Sequence, residues 1–156
     1  MAKEKECYLT EEQFEKILEM CMYSGDKTRP KPYLVILLKL MYYCHIPLID
    51  ALGITPYQVN GPDEEIPGWY DSEDNNSRMV FEIPNFFYEE LCDYQDKYNI
   101  GEDFSYVGRS DRGVRGEFQK ITEKLGYGKM QLKEVKKLGE KNYTFTRKPY
   151  KYKEDK

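Results

Sequence analysis

A chain of 156 residues is long enough for one domain with its own core and too short for two of ordinary size, and 40% apolar against 33% charged residues excludes a wholly disordered or membrane-embedded chain. The net charge of −4 hides a polar distribution: residues 1–49 carry 7 Lys+Arg and 7 Asp+Glu, residues 50–103 carry 2 and 14 (net −12), and residues 104–156 carry 15 and 7 (net +8). Such acidity argues against bulk nonspecific nucleic-acid binding, yet a local basic segment can still form a footprint on phosphates.

The charged start Met1–Glu6 argues against a secretory leader, and the longest strongly apolar run, Tyr33 to Leu38, stops at Lys39, far short of the roughly 20 residues a spanning helix needs. Thr10 with Gln13 three residues on forms a capping box. Phe14, Ile17, Leu18 and Cys21 then recur at helical spacing, predicting a helix over about 11–23. Gly25, Pro30 and Pro32 mark a turn. Tyr33 to Cys44 is apolar nearly all round, as a central helix buried on several faces would be. Pro47 suits the start of a short third helix, Leu48 to Leu52, which Gly53 can end.

Gly61-Pro62 opens an acidic loop. Two strands follow, Ile66 to Tyr70 and Met79 to Ile83, joined by a turn around Asn75-Asn76, which predicts an antiparallel hairpin. Asn85 caps a helix through about Tyr98. Gly108 to Gly113 reads as a loop, Val114 to Leu125 as a helix closed by Gly126, and Met130 to Leu138 as a helix closed by Gly139. The expected architecture is α+β, a mostly helical single domain over 1–143 with one small hairpin and a basic, tyrosine-containing flexible tail over 144–156. Cys7, Cys21, Cys44 and Cys92 are far apart with no CxxC pair, which suits reduced thiols in a cytoplasmic protein. His45 beside Cys44 is the only histidine, too little for a metal site, so the pair reads as packing at a helix end and no metal or cofactor is expected.

This order of elements resembles the catalytic domain of the tyrosine recombinases, or phage integrases. Tyr8-Leu9-Thr10-Glu11-Glu12 is similar to that domain's start, and residues 37–59 resemble its apolar helix, TGLRxSE-like turn and L-G-L stretch. Aligned on Ala51-Leu52-Gly53, Asp50 stands at the family's Glu and Pro47 at its first catalytic Arg. Phe81-Glu82-Ile83-Pro84 is similar to the segment after the family's hairpin, but the turn bears Glu73, Asp74, Asn75 and Asn76 where the family has a catalytic Lys. Residues 130–136 resemble its [LI]-T-P-H-D-L-R box with Lys133 at the His and Lys136 at the second Arg, and only 20 residues follow, leaving Tyr143, Tyr150 and Tyr152 out of place for the nucleophile. Since the family's Arg pair and Lys stabilise the scissile phosphate through preformed, partly bidentate hydrogen bonds, the resemblance implies a degenerate shell without catalysis.

Leu48 to Val59 also resembles the core of a helix-turn-helix, with Gly53 at the turn and Thr55 as cap, although Gly61-Pro62 and the acids Asp63, Glu64 and Glu65 oppose docking on DNA. Arg109, Arg112 and Arg115, interleaved with Gly108, Gly113 and Gly116, form the best anion-binding pattern, with Lys120 beyond them. Lys133, Lys136 and Lys137 stand about one helical turn apart, and Lys148, Lys151 and Lys153 with Tyr150 and Tyr152 give the tail charges and stacking faces. The first functional expectation is a noncatalytic, DNA-binding accessory or regulatory protein of a phage or mobile element. The alternative is an acidic interaction or inhibitor protein, a possible nucleic-acid mimic, binding a basic partner through Asp63, Glu64, Glu65, Glu73 and Asp74.

Overall fold

The computed structural model describes residues 9–25, 29–59, 68–72 and 78–142. In chain order its elements are α1 (Glu11–Cys21), α2 (Pro32–Cys44), α3 (Leu48–Leu52), α4 (Pro56–Val59), β1 (Gly68–Asp71), β2 (Arg78–Phe81), α5 (Asn85–Tyr98), α6 (Asp111–Lys124) and α7 (Lys133–Asn142). The described part is mostly helical with one two-stranded antiparallel sheet, the expected α+β class. None of its helices is long and apolar enough to cross a membrane. The boundary at 143 and the tail over 144–156 lie outside the described residues.

The capping box at the start of α1 is formed reciprocally: Thr10 Oγ1 accepts from the Gln13 amide and Gln13 Oε1 accepts from the Thr10 amide, each at 3.1 Å. Two of the helix's orphan donors are thereby satisfied. The helix buries Phe14, Ile17 and Cys21 and ends at Cys21, slightly short of the expected 23.

Leu34, Ile36, Leu37, Leu38, Leu40 and Met41 of α2 are all buried, which no single helical stripe could achieve, so neighbours must cover α2 from several sides. They do: α1, α3 and α7 all pack on it. The Phe14 ring stacks on Tyr42 at 4.6 Å. Glu11 fastens three elements, accepting from the Tyr42 hydroxyl at 2.9 Å and from Asn142 Nδ2 at 2.6 Å. His45 closes α2 in the left-handed region at φ 57°.

The hairpin sits slightly away from its expected bounds, pairing Gly68 with Phe81, Trp69 with Val80, Tyr70 with Met79 and Asp71 with Arg78. A Cβ at residue 68 would collide with the Phe81 ring, so any other residue there would require that buried ring to move. Alternation along β1 turns Tyr70 toward the core and sets Trp69 and Asp71 on the opposite face. Pro84, not Asn85, is the residue before α5. Asn99 ends that helix in the left-handed region at φ 52°, which a short polar side chain tolerates.

Two helices differ from expectation in instructive ways. α6 begins at Asp111, three residues before Val114, because Ser110 Oγ accepts from the Gly113 amide at 3.1 Å and nucleates the first turn early. α7 was expected over Met130 to Leu138 with Gly139 as its stop, but it runs Lys133–Asn142 straight through Gly139. A Cβ at 139 would overlap the Tyr42 carbonyl oxygen and lie 2.8 Å from the Tyr42 carbonyl carbon and Cα. The glycine lets two helix backbones touch rather than ending one of them. Between α6 and α7, Thr122 Oγ1 donates to the Gly128 carbonyl at 2.6 Å and accepts from the Met130 amide at 3.3 Å, holding a turn in which Gly126 and Gly128 take positive φ.

Candidate binding surfaces

The structure places six of the seven basic candidates on two helices with different neighbours, α6 against α1 and α3, and α7 against α2, with Arg109 just ahead of α6. The arginine-glycine pattern is not an open loop. Gly113 and Gly116 lie inside α6, as do Arg112 and Arg115, and the Gly113 amide is used by the Ser110 cap; this corrects the expected backbone cradle for an anion. Arg109 precedes the helix and lays its guanidinium over the Tyr33 ring at 4.2 Å. The Tyr33 hydroxyl in turn donates to Glu117 Oε2 at 2.7 Å, while Glu117 Oε1 is buried with no hydrogen-bond partner. A carboxylate therefore shares Tyr33 with Arg109 and opposes a phosphate that Arg109 would hold.

Other cations are engaged within their own helices. Arg115 pairs with Asp111 at 3.6 Å, Lys136 with Glu140 at 2.8 Å, and Lys137 with the buried Glu134 at 3.6 Å. Arg112, Lys120 and Lys133 are exposed and make no ion pair among the described residues. The positions matched to the recombinase motifs are also visible: Pro47 precedes α3, Asp50 is in its first turn, and Lys133 and Lys136 lie on α7. In the helix-turn-helix segment, Thr55 does cap α4, with its amide donating to Gln58 Oε1 at 2.9 Å and its Oγ1 accepting from the Gln58 amide at 3.3 Å.

Asp63, Glu64, Glu65, Glu73 and Asp74 lie outside the described residues. Most of the large exposed apolar side chains lie within or next to this stretch of sequence. Ile49, Tyr57, Phe86, Tyr98 and Phe104 are all large and exposed, whereas Met22 and Tyr23 are the only others of that kind among the described residues. The Tyr57 and Trp69 rings meet at right angles with centroids 6.1 Å apart. The Tyr57 amide donates to the Glu102 carbonyl at 3.1 Å and the Tyr106 amide to the Ile54 carbonyl at 3.0 Å, so the 101–106 loop is pinned beside α4. Sequence reasoning places Tyr57 only in the helix-turn-helix segment and passes over Trp69 and Phe104. The available signal was an aromatic in Gly101-Glu102-Asp103-Phe104 with no apolar partner at helical or strand spacing.

No group of three or more His, Cys, Asp or Glu side chains among the described residues is arranged to hold a metal ion. Burial pushes the Cys21 thiol up to about 12 and raises that of Cys44 as well, so neither is a ready nucleophile. Burial likewise pushes Tyr33, Tyr42 and Tyr70 up to about 12, with Glu117 adding to the effect at Tyr33 and Asp50 at Tyr70. These phenols titrate near 10 when unfolded, so their contribution to stability is fully present below about pH 10 and is lost as pH rises through about 12. The last part of the rise in tyrosinate absorbance at 295 nm, belonging to these buried phenols, should coincide with alkaline unfolding followed by circular dichroism. All 15 tyrosines ionising near pH 10 in an intact fold would contradict this packing.

No family model matches the chain, and no curated protein or solved structure was found that resembles it.

Proposed function

We propose that this protein is a noncatalytic interaction domain that binds a basic protein partner through its acidic, aromatic half. The observation that carries this reading is that five of the seven large exposed apolar side chains among the described residues fall in sequence between Ile49 and Phe104, within and next to the stretch of net charge −12. Tyr, Trp and Phe at the centre of a contact supply most of its energy, and surrounding carboxylates steer a cationic partner in. In the basic half, by contrast, Arg109, Arg115, Lys136 and Lys137 are already engaged within the molecule. The test is stopped-flow association with a fluorescent arginine-rich peptide across a salt series. The expected result is saturable binding whose on-rate falls as salt rises, because steering is screened over about 8 Å at physiological ionic strength. A peptide that fails to bind at low salt would refute the reading.

A second reading is a recombinase-like DNA-binding accessory protein of a phage or mobile element. It is favoured by Arg112, Lys120 and Lys133, which are exposed and free of ion pairs among the described residues. Duplex DNA in the same salt series separates the two: phosphate contacts give an affinity whose logarithm falls steeply and linearly with the logarithm of salt concentration.

A further inference from the structure

We propose that the outer face of α1 is the docking surface for a basic segment of the same chain, Arg147 to Lys153, laid along the helix within one molecule. The inference is independent of the acidic-half reading, because α1 lies outside residues 50–103. α1 turns Phe14, Ile17 and Cys21 inward and packs on α2 and α6. Its other side presents Glu12, Glu15 and Glu19, spaced three and four residues apart along one exposed face, with Lys16 at its edge. The stripe runs on into Met22 and Tyr23, which are 47% and 50% exposed. The three carboxylates make no ion pair or side-chain hydrogen bond among the described residues.

Like charges at this spacing repel, and the last turn of α1 holds no basic residue to offset Glu19 or the partial negative charge of the helix end. A cationic occupant would relieve both. The residues that follow α7 fit that description: Arg147, Lys148, Lys151 and Lys153 stand together without an acid among them, interleaved with Tyr150 and Tyr152. Their starting point is fixed beside α1, since Asn142, the last residue of α7, donates to Glu11 at 2.6 Å. An extended chain advances up to about 3.4 Å per residue and a helix about 1.5 Å. Arg147 can therefore reach about 17 Å from Asn142, while Glu19 lies about 12 Å along α1 from Glu11. Tyr150 has chain enough to reach Met22 and Tyr23, where an aromatic ring can meet the thioether and the phenol. Tethering raises the effective concentration of the segment to the millimolar range, which lets individually weak surface pairs act together and favours it over a free partner.

The experiment treats the intact protein with a water-soluble carbodiimide, which joins a lysine amine to a carboxylate in contact with it, and maps the links by mass spectrometry. The expected links, found in the monomer, run from Lys148, Lys151 or Lys153 to Glu12, Glu15 or Glu19, and fade as salt approaches 1 M. A second measurement follows tryptic cleavage after Arg147 and Lys151. At low salt E12Q/E15Q/E19Q should be cut there about 3- to 10-fold faster than wild type, and at 1 M salt equally fast. All three positions are exposed, and the cross-link map needs no variant should this one fold poorly. The proposal is overturned if these lysines join chiefly to residues 50–103, if their links to α1 are absent or confined to covalent dimers, or if a folded variant is cut no faster than wild type.

Discussion

Replacing Gly139 with alanine is expected to cost about 3 kcal/mol and to lower the melting temperature by about 6–12 °C, the larger end of the range for overpacking in a chain of this size. On an ordinary helix the same change would gain about 1 kcal/mol, because alanine is the better helix former. The sign is therefore diagnostic. The new methyl group meets the carbonyl of Tyr42, and a backbone group inside α2 cannot swing aside as a side chain would. α7 must lift away, loosening Val135 and Leu138 from the core and weakening the Asn142 contact to Glu11. Thermal unfolding of G139A checks this, and a variant as stable as wild type would mean that α7 does not sit on α2 as described.

Gly139 also shows what was legible in the sequence and what was not. Signals confined to a few residues were read well: the Thr10–Gln13 capping box, the short helix Leu48–Leu52 with Gly53 after it, the all-round apolar α2, and the hairpin. Each depends on propensity or periodicity that neighbours in sequence determine. A glycine near a helix end reads locally as a stop, and only the approach of Tyr42, 97 positions earlier, makes it an interior contact. Likewise, the glycines around Arg112 read as a loop, and the Ser110 cap outweighs them by holding the first turn of α6. The Tyr57–Trp69 meeting was out of reach for the same reason as Gly139: it is created by α4 packing on β1, and no periodic pattern spans that distance. The basic candidates were found individually, but their internal pairing at i,i+4 spacing became evident only once the helix bounds were fixed.

If the acidic half, not the basic one, is the binding face, two charge variants measured in parallel must behave in opposite ways. In one, Asp63, Glu64, Glu65, Glu73 and Asp74 become their amides; in the other, Arg112, Lys120 and Lys133 become glutamate. With five negative charges removed from a region of net −12, association with the arginine-rich peptide should slow about 10-fold at low salt and converge on wild type near 1 M, where the screening length is about 3 Å. Melting temperature should stay equal or rise slightly as self-repulsion is relieved. The charge-reversed variant should bind the peptide at least as fast as wild type. The account is contradicted if the neutralised protein associates as fast as wild type, or if wild type holds duplex DNA and the charge-reversed variant alone releases it.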